Sequence, residues 1–320
     1  MVRIFYGNRS YALLLVPFLA ALFVVLNIFF PHYLPEDGAG FGMWGNILPQ
    51  THWLSFSLAP VLIIANGIVL NWIFNRNEFL EKNNFLVAML YVTFLSNFHS
   101  FYFLDGFTIA QFVFGVGLVF FFRLNQNEDA RKIVFNVAFL FGIATTFYPL
   151  FLIAIPFLFW IIWVVRPFVF RESILTLIGY VIPLVYAGVY SMVTGFKISG
   201  DQFSSSSKEV FLIDLFVVGT AVVWFLLFSL KTLFRKMQQG SIRVRKLYNM
   251  LLMMGFLSML LTTVEYLVYQ KVETISLVIV PLMFVLPYGF GYKKQRPTPT
   301  AFYYLLFLFS VSKFFGLLTF

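Results

Sequence analysis

The sequence predicts an all-α fold: a polytopic bundle of about eleven transmembrane helices, with the N-terminus in the cytoplasm and the C-terminus in the periplasm. Of the 320 residues, 61% are hydrophobic and 11% are charged, whereas a soluble domain is about one-quarter charged. The mean hydropathy of +0.89 indicates that lipid is the solvent for most of the chain. Apolar windows recur along the sequence, and the basic residues concentrate in alternate loops between them.

Each apolar window has roughly 17 to 22 residues, enough to cross the ~30 Å hydrocarbon core of a bilayer. In chain order the predicted helices span 10–30, 55–75, 84–104, 107–123, 133–149, 150–166, 173–195, 210–230, 247–268, 273–290 and 301–319. Asp105-Gly106 and Tyr148-Pro149 mark the tight turns of two hairpins. We interpret 1–320 as a single transmembrane domain without an independent soluble domain. The sequence indicates no internal repeat and no pair of interrupted helices.

The basic residues determine the predicted orientation. With a cytoplasmic N-terminus, eighteen of the 22 Lys and Arg residues lie on the cytoplasmic side. They are Arg3, Arg9, Arg76, Lys82, Arg123, Arg131, Lys132, Arg166, Arg171, Lys231, Arg235, Lys236, Arg243, Arg245, Lys246, Lys293, Lys294 and Arg296. Topology therefore explains the net charge of +9, and we expect no nucleic-acid partner. The basic loop 231–246 attracts anionic lipid or, alternatively, docks a cytoplasmic partner or a lipid phosphate.

Three ionisable residues fall inside predicted helices, where charge is costly and is usually paired. Asp214 and Glu265 each lie about one turn from the outer end of their helix, and Lys313 lies in the outer half of the last helix. We predict that Lys313 pairs with Glu265 or Asp214. The alternative is that each side chain extends separately to the outer headgroups.

The third predicted helix carries a polar stripe near its outer end. Ser96, His99 and Ser100 follow a helical spacing of three and four residues, so we expect them to share a face that points into the bundle. His99 is then either a ligand or proton carrier, or a hydrogen-bonded structural group. We expect Asp105-Gly106 to be an exposed turn. The candidate outer polar cluster, which defines the predicted site, comprises His32, His52, Ser96, His99, Ser100, Asp214, Glu265 and Lys313.

The first outer loop, 31–54, contains two histidines and the adjacent acids Glu36 and Asp37. Their spacing matches no standard metal site, so we predict no metal. The chain has no Cys, which excludes disulfides and cysteine nucleophiles. It also lacks the motifs of metalloproteases, serine hydrolases, P-loop proteins and dinucleotide enzymes, so no motif identifies a cofactor.

Two stretches carry family resemblances. The opening MVRIFYGNRSYALLLVPF and the run 135–186, which begins FNVAFLFGIATTFYPLF and ends LIGYVIPLVY, are similar to a family of inner-membrane proteins from Bacteroidota. That resemblance implies a location in the bacterial inner membrane. The same run distantly resembles the hairpin of C-type-fold polyprenyl-linked glycosyltransferases. In those enzymes a catalytic acid lies in the first outer loop, which by position implies Glu36 or Asp37.

Three functions remain open on sequence grounds. The first is a non-catalytic subunit or scaffold of an envelope-assembly or export complex. The second is a periplasm-facing glycosyl or lipid transferase that acts on a polyprenyl phosphate or phospholipid, with Glu36 or Asp37 as general base. The third is a transporter of a lipid or small solute, with Asp214, Glu265 and Lys313 along its path. The expected partners are the lipid bilayer and other subunits of a membrane complex.

Overall fold

The computed structural model describes residues 1–7, 11–34, 40–45, 52–80, 83–124, 130–165, 169–195, 212–240, 242–269, 271–291 and 296–315. Within these ranges the chain is helical and contains no strand. The α-helices are α1 Val2–Tyr6, α2 Tyr11–Phe29, α3 His52–Arg76, α4 Leu86–Leu95, α5 Gly106–Leu124, α6 Arg131–Phe147, α7 Ala154–Val165, α8 Phe170–Thr194, α9 Leu212–Gln239, α10 Ile242–Tyr269, α11 Ile275–Leu282 and α12 Pro297–Ser312. Short 3-10 helices span Gly42–Trp44, His99–Phe101, Pro149–Ile153, Leu286–Phe290 and Lys313–Phe315.

Six of these helices are long and apolar enough to cross a membrane, which supports a multi-pass membrane protein. The six apolar stretches are Tyr11–Phe29, Trp53–Arg76, Gly106–Leu124, Phe170–Thr194, Ile213–Gln239 and Val244–Tyr269. Much of their surface is exposed and apolar, such as Phe18, Tyr186 and Phe216, as expected where lipid replaces water around a helix.

Two predicted helices are interrupted, which contradicts both the continuous windows and the expectation that no interrupted pair exists. The window 84–104 forms α4 only to Leu95 and continues as turns and a 3-10 helix. The window 273–290 forms α11 only to Leu282, before a second 3-10 helix. Interrupted backbone at membrane depth is tolerated where protein surrounds it, and here residues 100–107 and 286–290 are buried.

Local hydrogen bonds explain why α4 ends where it does. The Ser96 hydroxyl donates to the carbonyl of Thr93 at 2.8 Å, and the Asn97 amide donates to the same carbonyl at 3.0 Å. These side chains compete with the backbone donors that would continue the helix. The predicted helical face shared by Ser96, His99 and Ser100 is therefore wrong.

Contacts between the ends of the helices define an outer and an inner end of the bundle. The outer end, predicted to be periplasmic, includes the ends of α2, α4, α6, α10 and α12 and the starts of α5, α9 and α11. The inner end, predicted to be cytoplasmic, is held together by the N–H of Phe85 donating to the carbonyl of Phe5 at 2.8 Å. There, too, the Lys246 ammonium donates to the carbonyl of Val165 at 2.8 Å.

Residues 40–45, a described part of the first outer loop, pack onto the outer end of the bundle. Gly42 adopts φ +60° and lies so close to α6 that an added Cβ would be 2.4 Å from the carbonyl oxygen of Phe147. The indole N–H of Trp44 donates to the Thr146 hydroxyl at 2.9 Å. Residues 40–45 are thereby held against the turn between α6 and α7.

The expectation that Asp105 is an exposed turn residue is wrong. Asp105 is buried, and its Oδ1 accepts hydrogen bonds from the N–H and the hydroxyl of Thr108, both at 2.7 Å. It thus caps the N-terminus of α5. Gly106 donates its N–H to the carbonyl of Gly40 at 3.2 Å, so the segment 40–45 contacts this turn.

Candidate functional site

Lys313 lies at the outer end of α12 and is 3% exposed. Its ammonium donates to the hydroxyl of Tyr33 at 3.1 Å, the carbonyl of Ser96 at 2.9 Å and the Oδ1 of Asn97 at 3.1 Å. An ammonium has three N–H donors, so these three acceptors match its full hydrogen-bonding capacity.

Asp214 supplies the charge opposite Lys313. It lies in the first turn of α9, where the helix dipole favours an acid. Its Oδ2 accepts from the Tyr33 hydroxyl at 2.6 Å and lies 3.3 Å from Nε2 of His32 and 3.8 Å from Nζ of Lys313. Of the two acids that the sequence offered as partners for Lys313, Asp214 is within ion-pair distance.

Tyr33 connects the two charges. Its hydroxyl donates to Asp214 and accepts from Lys313, and its ring stacks on Tyr102 with 4.8 Å between centroids. Burial, with the carboxylate of Asp214 beside it, raises the pKa of Tyr33 well above the ordinary value of a phenol. The hydroxyl therefore remains protonated and donates to the carboxylate.

The turn after α2 places His32 and Tyr33 at this position. Oδ1 of Asn27 accepts the N–H groups of His32 and Tyr33, at 3.2 and 2.9 Å, and its amide donates to the carbonyl of Tyr33 at 3.1 Å. These three bonds satisfy backbone groups at the end of the helix and turn the chain into the bundle. We call the resulting set the Lys313 network: His32, Tyr33, Ser96, Asn97, Asp214 and Lys313.

Glu265 belongs to a second set, the Glu265 network, with Tyr148 and Thr274. The carboxylate is fully buried and accepts from the Tyr148 hydroxyl and from the N–H and hydroxyl of Thr274, at 2.9 and 2.8 Å. This network joins the end of α10 to the start of α11 and to the turn between α6 and α7. Glu265 thus has partners of its own, which are distinct from the acceptors of Lys313.

His99 and Ser100 occupy the interrupted segment after α4. Nε2 of His99 lies 2.9 Å from the carbonyl of Leu34, and its ring stacks on Phe103 at 5.0 Å. The carbonyl oxygen of Ser100 lies 3.3 Å from the Thr108 hydroxyl oxygen, while the Ser100 hydroxyl is buried without a hydrogen-bond partner among the described residues. These contacts favour a structural role for His99.

For three predicted site residues the side chain lies outside the part of the chain that the structure describes. Glu36 and Asp37 lie outside the described residues, and so does the side chain of His52, although His52 is the first residue of α3. Their proposed roles stay predictions.

The sequence interpretation missed Tyr33 and Asn97, which contact Lys313 directly, and Ser310, which pairs with Asn97 at 3.0 Å. Asn97 could have been found, because an amide in an apolar segment needs partners. Tyr33 carries no comparable pattern, since a single tyrosine at the end of a helix is common at membrane interfaces.

A third polar group lies deeper in the bundle. The Asn66 amide donates to the Tyr91 hydroxyl at 2.7 Å, and the Gln111 amide donates to the carbonyl of Ser276 at 3.2 Å. Oδ1 of Asn66 and Oε1 of Gln111 are buried and accept no hydrogen bond from the described part of the chain. Buried acceptors of this kind are usually satisfied by water or a ligand.

Chemically, the Lys313 network combines an ammonium, a carboxylate, an imidazole and a phenol. The phenol of Tyr33 bonds to both the ammonium and the carboxylate, and the imidazole lies 3.3 Å from the carboxylate. Such a set can hold a charge balance inside a membrane or pass a proton between its members. Among the described residues no group of three or more His, Asp or Glu is arranged to hold a metal ion. No protein-family model, curated protein or solved structure matches the chain.

Proposed function

We propose that this protein is a non-catalytic subunit, or scaffold, of an envelope-assembly or export complex in the bacterial inner membrane. The observation that supports it most is that the ionisable side chains at the outer end are already bound by other groups of the protein. Lys313, Asp214 and Glu265 each bind several groups of the protein, in two separate networks. A catalytic acid or a transport site requires groups that can reach a substrate instead.

The two networks act as clamps between distant segments. The Lys313 network joins the ends of α2, α4 and α12 to the start of α9, and the Glu265 network joins α10 to α11. Hydrogen bonds between helices within a membrane are typically worth about 0.6 kcal/mol each. Several such bonds around one buried ion pair fix a single arrangement of helices, which suits a rigid platform for partner proteins.

The location rests on two supports. The helices carry the hydropathy of a multi-pass membrane protein, and the basic residues gather at the inner end as the positive-inside rule expects. The resemblance of the opening and of 135–186 to an inner-membrane family from Bacteroidota agrees with that location.

In-cell photo-crosslinking tests the scaffold proposal. A photoreactive phenylalanine analogue is placed at exposed positions on different faces: Phe18 on α2, Tyr186 on α8 and Phe216 on α9. A subunit of a complex gives a discrete protein adduct from one face and none from the others. If all positions give only lipid adducts and the protein purifies as a monomer, the scaffold proposal fails.

A second function, transport of a lipid or small solute, is favoured by the interrupted helices. α4 begins at the inner end and α11 begins at the outer end, so two discontinuous helices run in opposite directions, as in many transporters. Lys313 binds the interrupted backbone at Ser96, and the unsatisfied oxygens of Asn66 and Gln111 lie deeper in the bundle.

Proton flux in proteoliposomes tests transport. Lys313→Met and Asp214→Asn should each abolish a proton-coupled flux, while Lys231→Met, an exposed lysine on α9, should not change it. Liposomes that show no flux with the unmodified protein, or a flux that all three variants retain, would remove transport by this network.

A further inference from the structure

The helices α3 and α5 run side by side from the outer end of the bundle to the inner end. They approach closely at Gly115, where an added Cβ would lie 1.8 Å from Oδ1 of Asn66. Arg76, the last residue of α3, follows Asn66 by ten residues, and Arg123, in the last turn of α5, follows Gly115 by eight. At ~1.5 Å per residue these separations are ~15 and ~12 Å, so the two arginines lie at nearly the same level of the inner end.

Both guanidinium groups lie near the ring of Trp72, which precedes Arg76 by one turn of α3. The Cζ atoms of Arg76 and Arg123 are 4.8 and 6.0 Å from the centre of that ring. An aromatic ring attracts a cation placed over its face, so one indole brings together two positive charges that would otherwise repel each other. Trp72 is 44% exposed, as expected of a tryptophan between the hydrocarbon and the headgroups.

A small recess of about 10 Å3 lies between the two helix ends, away from both networks. A volume of this size holds about one water-sized group. Its polar lining consists of Trp72, Arg76, Asn77 and Arg123, and the remaining lining residues are apolar side chains of the two helices. The recess is therefore suited to a single oxygen atom of a ligand whose other atoms remain outside.

Most of the polar groups at the recess are hydrogen-bond donors. A guanidinium group has five N–H donors and no acceptor. Nε of Arg123 is buried and donates no hydrogen bond to the described residues. Asn77 is the exception, because its amide donates to the carbonyl of Ile73 at 2.9 Å and its Oδ1 is a buried acceptor without a partner in the described part of the chain. Since a buried donor without an acceptor is costly, a ligand oxygen beside Arg123 would stabilise the folded state.

Within the described residues neither arginine forms an ion pair with an acid. The acid nearest to Arg76 along the chain is Glu78, which lies in the turn that ends α3. Its φ is +53°, and its N–H donates to the carbonyl of Asn75 at 3.1 Å. Glu78 lines a separate, larger cavity of about 220 Å3 and is not part of the recess. Two cations without a counter-charge favour an anionic ligand.

The surroundings favour the anion of a lipid over a soluble one. The recess lies at the predicted cytoplasmic boundary. From it, partly exposed apolar side chains continue along both helices toward the outer end, beginning with Ile68 on α3 and Val116 on α5. Acyl chains can lie along these side chains while a phosphate stays level with the arginines. Guanidinium groups bind phosphate oxygens in pairs, and basic pockets between helices on this side of a membrane suit lipid headgroups.

We propose that Arg76 and Arg123 bind the phosphate of an anionic phospholipid in the inner leaflet, beside Trp72 at the ends of α3 and α5. One phosphate oxygen occupies the recess, and the acyl chains follow the apolar side chains of the two helices. The inference is independent of the proposed scaffold function.

Native mass spectrometry of the full-length protein in detergent tests the site with phosphatidylglycerol and phosphatidylcholine that carry the same acyl chains. The two lipids share the phosphate, but choline adds a positive charge that the two arginines repel. We expect phosphatidylglycerol to bind about tenfold more tightly, the effect of one charge-assisted hydrogen-bonded contact.

A matched pair of double variants assigns this preference to residues. Arg76→Gln/Arg123→Gln removes two positive charges and should reduce binding of phosphatidylglycerol to the level of phosphatidylcholine. Arg171→Gln/Lys231→Gln removes the same charge from exposed positions on α8 and α9, on the same predicted side of the membrane, and should leave the preference unchanged. Arg76→Lys/Arg123→Lys keeps both charges without the planar fork, so it should keep the preference with weaker binding.

Four outcomes would overturn the proposal. Equal binding of the two lipids by the unmodified protein would show that the site does not recognise an anion. An equal loss in the two glutamine variants would reduce the effect to the overall charge of the inner end. Loss of the preference in the lysine variant would contradict recognition by charge at these positions. Displacement of the lipid by an equal concentration of glycerol 3-phosphate would identify a site for a soluble phosphate.

Discussion

The ammonium of Lys313 lies 3.8 Å from Oδ2 of Asp214, and the Tyr33 hydroxyl bonds to both residues. The ion pair is buried, so each charge is stabilised in the folded protein only while the opposite charge is present. Taking two charges out of water costs several kcal/mol per ion. The contacts around the pair offset this cost only while both partners are present.

Removal of one partner should therefore destabilise the protein more than removal of both. We expect Lys313→Met to lower the free energy of unfolding by about 3 to 5 kcal/mol, since Asp214 is left buried without its cation. The double variant Lys313→Met/Asp214→Leu should recover most of that loss. The measurement is unfolding in mixed detergent micelles.

The charge exchange Lys313→Asp/Asp214→Lys is a second readout of the same pair. It should be more stable than either single reversal. Strictly additive effects of the two reversals would contradict a direct pair.

Tyr33→Phe isolates the bridging hydroxyl. The ring can still stack on Tyr102, but Asp214 loses a 2.6 Å hydrogen bond and Lys313 loses an acceptor. We expect a loss of about 1 to 3 kcal/mol in unfolding measured by the same assay. Tyr186→Phe, at a side chain 71% exposed, is the matched control and should be neutral. An equal effect of the two changes would argue against the bridge.

Glu265→Gln tests the second network. An amide nitrogen replaces one carboxylate oxygen and must face the Tyr148 hydroxyl or the donors of Thr274, all of which donate to Glu265. We expect a loss of about 1 to 3 kcal/mol. In a double-mutant cycle with Tyr148→Phe, the coupling energy should be at least about 0.5 kcal/mol. Zero coupling would mean that the two side chains do not interact.

Gly42→Ala should loosen the outer loop. The residue has φ +60°, and the added methyl would lie 2.4 Å from the carbonyl oxygen of Phe147, a strain of about 1 to 3 kcal/mol. Hydrogen exchange should then increase at 40–45. Gly188→Ala is the control, because a Cβ added there would meet nothing within 4 Å, and in the middle of α8 it should stabilise by about 0.5 to 1 kcal/mol. Unchanged exchange at 40–45 in the Gly42 variant would show that the close approach is unimportant.

Glu78→Gly should stabilise the protein, by about 1 kcal/mol, because glycine adopts a positive φ without the steric cost that a Cβ imposes. Glu78→Ala keeps the Cβ and should gain much less. The midpoint of thermal unfolding in lipid-free detergent measures the difference. If alanine stabilises as much as glycine, the gain comes from removing the charge beside the helix dipole and not from relief of backbone strain.

Apolar windows predicted the positions of the long helices closely, because lipid imposes a minimum apolar length on any helix that crosses it. The same windows failed at 84–104 and 273–290. Hydropathy measures only how apolar the side chains are. The interruption after Leu95 depends instead on hydrogen bonds from the side chains of Ser96 and Asn97 to the carbonyl of Thr93. Their competition with the helix is tolerated because surrounding protein, including Lys313, satisfies the freed backbone groups.

The site was predictable only in part for a similar reason. The rise of an α-helix per residue gives the depth of each side chain along its helix, and that depth alone placed Lys313 level with Asp214 and Glu265. The choice between the two acids depends on Tyr33, which the turn around Asn27 brings inward, and that turn has no periodic pattern. Asp105 was expected in solvent because its burial depends on a loop that packs from a distant part of the chain.

The contact between Lys313 and Asn97 spans 216 residues of sequence. At ordinary synthesis rates of ~5 to 20 residues per second, a ribosome needs roughly 10 to 40 s to make the chain between them. For that time the outer end of α4 has left the ribosome without the cation that later binds the carbonyl of Ser96. Exposed irregular backbone is costly in lipid, so the nascent segment relies on the insertion machinery until α12 docks. Biogenesis of this bundle is therefore completed late, and a cell that degrades unassembled membrane segments has tens of seconds in which to act on it.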